Sequence, residues 1–183
     1  MKKTSLLTLA NLLSVAIKAQ DVLINETCNS TEMPEGWTVM DKALTNWKIS
    51  ESNNAGGEAN EIKLGWNPQF DGITRLVAAP LNLTGIKSVI VKLDHYFENY
   101  ANETSTIGIA TSSNNGTSWN VGWSCGYNET GQYSIEQRIA TTDMGKDNVL
   151  ICIFFEGNSA RFQGWYFDDF IVTVQPNVEI RLN

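Results

Sequence analysis

Two adjacent carboxylates, Asp168 and Asp169, stand inside the apolar run Gly164–Val172, which reads GWYFDDFIV. A carboxylate taken out of water costs several kcal/mol unless something pairs with it. Successive side chains of a regular strand point to opposite faces, so these two can share one ion only where the strand bulges or ends. A hard cation such as Ca²⁺ takes oxygen ligands. Asp168 or Asp169 would then hold it together with a carboxylate of the first strand, such as Glu26, and with loop carbonyls. Hydrogen bonds from loop amides, or pairing with Arg161 or Arg75, account for the acids equally well.

The other reactive side chains are few. His95 is the only histidine in the chain, so a catalytic triad or a histidine-based zinc site has at most this one imidazole to work with, and its place on the apolar parity of its strand reads as a core or sheet-face histidine. No pair of carboxylates stands out as a glycosidase couple, and no catalytic residue is expected. Cys28, Cys125 and Cys152 are odd in number, so at most one bridge can close, and the sequence does not choose among the three pairings. Cys152 lies on an apolar segment and reads as a buried thiol.

Aromatic residues offer a different chemistry. Trp47, Trp119 and Trp165 fall on strand-like segments and read as core. Trp66 and Phe70 instead lie in the turn-rich stretch GWNPQFDG, Gly65–Gly72. Exposed aromatics beside amides and an acid are what a sugar-stacking surface uses, so Trp66 and Phe70, with Trp123 and Tyr127, are the candidate glycan- or protein-binding residues. The competing reading folds such loop aromatics back onto the core.

The elements that would position these groups are strands. Val89, Val91, Leu93, His95 and Phe97 alternate with Lys92 and Asp94, the period of a half-exposed strand. Thr106–Thr111, the turn Ser112–Gly116 and the segment around Trp119–Trp123 read as a hairpin. Tyr133–Ala140 alternates again. Val149–Phe155 is apolar on both faces and reads as a central strand covered on both sides. Trp165–Val174 is the last strand, ended by Pro176. Asp21–Asn25, Trp47–Ser50, Glu61–Leu64 and Arg75–Ala78 are shorter candidates. The pattern predicts an all-β, antiparallel two-sheet sandwich.

Residues 1–19 resemble an export signal, with Lys2 and Lys3 ahead of an apolar run too short and polar to span a bilayer. Their removal takes away Lys2, Lys3 and Lys18 and no acids, so the formal charge of −7 becomes −10. Such a charge argues against nucleic acid and anionic lipid as partners. Asn-x-Thr triplets at Asn25, Asn29, Asn82, Asn102, Asn115 and Asn128 mark exposed turns. A single domain over 20–175 and a tail or linker over 176–183 complete the division.

The order of short motifs carries a resemblance. Pro34-Glu35-Gly36-Trp37 comes first, then Asn46-Trp47-Lys48-Ile49, then Arg75-Leu76-Val77-Ala78-Ala79-Pro80-Leu81, then the Val89–Phe97 strand, and last Trp165-Tyr166-Phe167-Asp168-Asp169. This succession resembles the MAM-like jelly-roll domains of secreted bacterial proteins, including the cleaved-adhesin modules of gingipain-type haemagglutinins and the choice-of-anchor J group. The three cysteines do not match the paired cysteines of animal MAM domains. The resemblance implies a jelly-roll sandwich, secreted or at the cell surface, that adheres to a host or matrix glycoprotein or glycan, with structural calcium. It leaves two alternatives: a carbohydrate-binding accessory domain of a secreted hydrolase or protease system, and a small jelly-roll glycosidase or lyase.

Overall fold

The strictly alternating segment around His95 forms the longest pairing of the fold. In the computed structural model, which describes residues 21–101 and 103–174, β6 (Val89–Asn99) runs antiparallel to β11 (Phe162–Val174) on one side and to β9 (Gly131–Ile139) on the other. Beyond β11 come β4 (Glu61–Gly65) and β3 (Trp47–Ser50), giving the order β3-β4-β11-β6-β9. The short first strand, β1 (Val22–Glu26), also pairs with β11. The second sheet has the order β2-β5-β10-β7-β8, built from β2 (Thr38–Asp41), β5 (Asp71–Val77), β7 (Ser105–Ser112), β8 (Asn120–Tyr127) and β10 (Leu150–Asn158). Every pairing is antiparallel, and the two sheets form a sandwich, as the periodicity predicts, of the jelly-roll type that the resemblance implies. The expected export signal and tail lie outside the described residues, as does Asn102.

Between the sheets lie Ile62, Leu64, Leu93, Phe97, Trp165 and Phe167 from the first and Leu76, Ile107, Ile109, Ile151, Ile153 and Phe155 from the second, all essentially inaccessible. Fully burying one such side chain contributes roughly 2 kcal/mol. β10 is apolar on both faces, as its sequence predicts, because a second cluster covers its outer side. Leu150, Cys152 and Phe154 pack there with Val77 and Ala110, bordered by Met40, Ile73 and Trp119. The Arg75 guanidinium closes this patch, 5.1 Å from the Trp119 ring and 5.9 Å from the Phe154 ring, and pairs with Asp41.

Two details depart from the sequence reading, and the cysteines stay within it. β2 was not among the expected strands, since four residues after a Pro-Glu-Gly turn carry too little period to announce one. β5 begins at Asp71 rather than Arg75. All three cysteines are free, Cys28 and Cys152 buried and Cys125 exposed. Among the described residues the one helical element is the 3₁₀ turn Ser159–Arg161, and no helix is long and apolar enough to cross a membrane.

Candidate functional site

β11 has different neighbours at its two ends. Along one edge, Gly164–Phe167 pair with β4 while Phe170–Thr173 pair with β1. Asp168 and Asp169 fall at the changeover. On the other edge the register with β6 slips by one residue between Asp168 and Ile171, and Asp169 adopts a left-handed φ of 51°. This is a β-bulge, and it removes the alternation that would have sent the two acids to opposite faces. Both now face Gly57. A Cβ built on that glycine would lie 2.8 Å from Asp168 Oδ2 and 3.9 Å from Asp169 Oδ2, and the backbone there has φ 72°, so only glycine fits under the loop.

Asp168 is 2% exposed and has acids on both sides. Asp94 lies directly opposite it on β6, while Glu61 begins β4 next to Ile62, the partner of Phe167. Each carboxylate has a neutral donor. The Asp169 amide donates to Asp168 Oδ1 at 2.8 Å, and the amides of Asn54 and Ala55 donate to the two oxygens of Glu61 at 2.9 and 2.8 Å. Ser134 Oγ donates to Asp94. On β1, Glu26 Oε1 accepts from the Cys28 amide at 2.9 Å. Burial, with Asp169, Glu61 and Asp94 adding to it against the pull of the Asp169 amide, lifts the Asp168 carboxyl to about 6. The buried Cys28 thiol is pushed up by desolvation and by Asp168, Glu26 and Asp169. Arg75 and Arg161, the bases offered by the sequence, are engaged with Asp41 and Glu103 instead. Among the described residues no group of three or more His, Cys, Asp and Glu side chains is arranged to hold a metal ion by itself. Any ion here would draw on backbone oxygens as well.

The second feature is the turn at Trp66. The buried Asn46 side chain donates to the Gly65 carbonyl at 2.9 Å and to the Pro68 carbonyl at 2.8 Å, and Asn46 O accepts from the Gly65 amide at 2.9 Å. Ser159 Oγ donates to the Trp66 carbonyl and accepts from the Phe70 amide, both at 2.8 Å. The turn is thus pinned from two directions, while the Trp66 side chain stays 44% exposed. Beside it lies an open groove of about 300 Å³ lined by Lys48, Lys63, Trp66, Asn67, Glu98 and Gln163.

The other aromatics predicted for a binding surface do not join Trp66. Phe70 is buried and packs edge-on against Phe155 and Phe162. Tyr127 is buried as well, against His95, Phe97 and Tyr133. Trp123 is half-buried on β8, in the other sheet, and leans on the main core. Phe70, in the loop between β4 and β5, folds back onto the core, and Tyr127 ends β8 opposite the buried Ser105 of β7. His95 is fully buried, stacked on Tyr133, with Nε2 at 3.2 Å from the Tyr127 hydroxyl. Burial pulls its imidazole down to about 4, against the opposing influence of Asp94. Sequence reasoning missed Glu61 and the facing position of Asp94. The visible trace of Glu61 is one acid opening the apolar segment Glu61–Gly65.

No family model matches the chain, and no curated protein matches it. Solved structures do. The K3 cleaved adhesin domain of Lys-gingipain from Porphyromonas gingivalis W83 superposes with a TM-score of 0.59 at 12% identity, over 83% of this chain and 99% of that one. The C-terminal family 22 carbohydrate-binding module of a Clostridium thermocellum xylanase gives 0.57 at 11% identity, over 89% and 100%. A family 61 carbohydrate-binding module, solved with β-1,4-galactotriose, gives 0.50 at 20% identity, over 77% and 90%. At these identities the likeness is one of fold, and it is the fold that the ordered motifs imply.

Proposed function

We propose that this chain is a secreted or cell-surface, non-catalytic β-sandwich module that binds glycan, free or on a host or matrix glycoprotein, and that structural Ca²⁺ stabilises it. The observation that carries the binding reading is Trp66. An indole that is exposed while its backbone is held by Asn46 and Ser159 loses little freedom on stacking against a sugar ring, so its contact costs little to make. The two carbohydrate-binding modules of the same fold support a glycan as ligand, and the cleaved adhesin domain supports adhesion as its use. An accessory carbohydrate-binding domain of a hydrolase or protease would employ the same surface in a longer assembly. A glycosidase would need a pair of carboxylates facing an open groove, whereas the groove at Trp66 is lined by one acid, Glu98, and Glu61 and Asp168 are buried beneath the loop that carries Gly57.

Calcium is supported by the charge imbalance around Asp168. Glu61, Asp94 and Asp169 crowd a buried carboxylate, and the ion pairs of Arg75, Lys92 and Arg161 are made elsewhere. Asp168, Asp169 and Glu26 supply hard oxygen donors of the kind Ca²⁺ takes, with loop carbonyls to complete the shell. Bound there, the ion would neutralise the acids and fasten β1 to the changeover in β11.

Glycan-array binding by the folded domain tests the first part: binding abolished by Trp66→Ala supports it, and binding indifferent to that change sinks the sugar reading. Melting of metal-stripped protein tests the second. An increase in Tm with millimolar Ca²⁺, reversed by chelator and absent in Asp168→Asn, supports the ion. A curve unmoved by either addition contradicts it.

A further inference from the structure

The groove beside Trp66 has a glycine, Gly65, in its floor and a cationic wall. Gly65 on β4 and Gly164 on β11 face each other in register, with Glu98 next across on β6. A Cβ on Gly164 would meet Tyr166 Cε2 at 2.6 Å and Lys63 Cε at 3.0 Å, so a larger residue there would collide with the wall. One step along the strands runs the row Lys48, Lys63, Tyr166, Tyr96, again in register.

Lys48 and Lys63 therefore stand directly opposite one another on neighbouring strands. Like charges in that position repel and weaken the sheet unless something offsets them. Among the described residues neither lysine has a carboxylate within ion-pair reach, the pairs being Arg75–Asp41, Lys92–Glu136 and Arg161–Glu103. Lys63 Nζ is held over the Tyr166 ring, 4.6 Å from its centroid, which keeps the ammonium at the groove rather than free in solvent. In a chain of net charge −7, a facing lysine pair beside an exposed indole on a pinned turn is locally out of character.

We infer that this groove binds an anionic glycan, one whose pyranose ring carries a carboxylate or sulfate. The inference rests on the glycan reading of Trp66 and adds its charge class. Lys48 and Lys63 take the acidic group, Trp66 takes the apolar face of the sugar, and Asn67, Glu98 and Gln163 offer polar partners for hydroxyls. Gly65, which puts no side chain into the groove, lets the ring approach the sheet backbone there.

The experiment compares binding of the intact domain to polygalacturonate (carboxylate), chondroitin sulfate (both groups), dextran sulfate (sulfate alone) and neutral xylan and galactan. The same ligands are offered to Trp66→Ala and to a double variant, Lys48→Gln with Lys63→Gln. Melting curves of both variants check that they fold. The expected result is preference for the acidic polymers, weakened by added salt and lowered at least about tenfold in the lysine variant. The polygalacturonate and dextran sulfate arms tell which group the lysines take. Preference for neutral xylan or galactan, lost in Trp66→Ala and untouched in the lysine variant, overturns the anionic assignment and leaves glycan binding standing. Binding to none of the polymers overturns both.

Discussion

The outer faces of the two sheets are built on opposite plans. On the β2-β5-β10-β7-β8 sheet the outer face is closed by its own side chains. Phe154 lies against Gly108, and the Arg75 guanidinium spans Phe154 and Trp119 while paired with Asp41. That face spends its aromatics on sealing itself. On the β3-β4-β11-β6-β9 sheet the outer face keeps its charges, in two in-register rows. The row through Lys48 and Lys63 ends beside the open groove at Trp66. The next row brings Glu61, Asp168 and Asp94 together under the loop carrying Gly57. A face whose rings pack beneath a paired guanidinium offers little to a ligand. A face carrying like charges side by side is incomplete until counter-charges arrive.

The largest effect should come from opening the sealed face. Phe154→Ala removes a ring that is 4% exposed, and it should cost about 3–5 kcal/mol by denaturant unfolding, like a main-core truncation. A cost under about 1 kcal/mol would mean the second cluster is a surface patch and the contrast between faces is false.

Asp168 gives the next effect, and its sign is informative. Its carboxyl lies near 6 in the fold against an ordinary value of 3.8. Between those values the folded metal-stripped protein binds more protons than the unfolded chain, so stability falls as the pH rises from about 4 to about 6. Asp168→Asn should remove that penalty, stabilising the metal-stripped protein at pH 7 by about 3 kcal/mol and leaving it unchanged below pH 4. With calcium present the order should reverse, because the wild type gains an ion that the variant cannot hold. A variant less stable than wild type in chelator at pH 7 would show that the acids are already satisfied.

Trp66→Ala should be the smallest change of the three. The indole is exposed and its backbone is held by Asn46 and Ser159 whatever the side chain, so unfolding should shift by no more than about 0.5 kcal/mol. A larger loss would assign Trp66 to the fold and remove it from the binding surface.

The sequence displays some of this contrast and hides the rest for identifiable reasons. The period-two alternation of Val89–Phe97 and the doubly apolar Val149–Phe155 reveal the strands and even the covered outer side of β10, because burial on one face or on two writes directly into residue type. The exposure of Trp66 is legible from the turn residues around it. The convergence of Asp168 and Asp169 is not, since alternation assigns them to opposite faces and nothing local announces a bulge. Asp94 and Glu61 reach Asp168 only because β6 and β4 flank β11, which is information about strand order rather than about any one segment. The turn-rich stretch around Phe70 suggests a surface residue, while the structure folds its ring back onto the core, and Tyr127, offered with it, is buried as well. Lys48 and Lys63, fifteen positions apart, become a pair only through the register of β3 with β4.

The contrast between the faces is tested most directly by binding to an acidic glycan array with two tryptophan variants side by side. Trp66→Ala alters the open face, and Trp119→Ala the closed one. The account predicts that Trp66→Ala abolishes binding while Trp119→Ala, though less stable, binds as the wild type does wherever it is folded. Loss of binding in folded Trp119→Ala, with Trp66→Ala unaffected, would move the site to the other sheet and contradict the account.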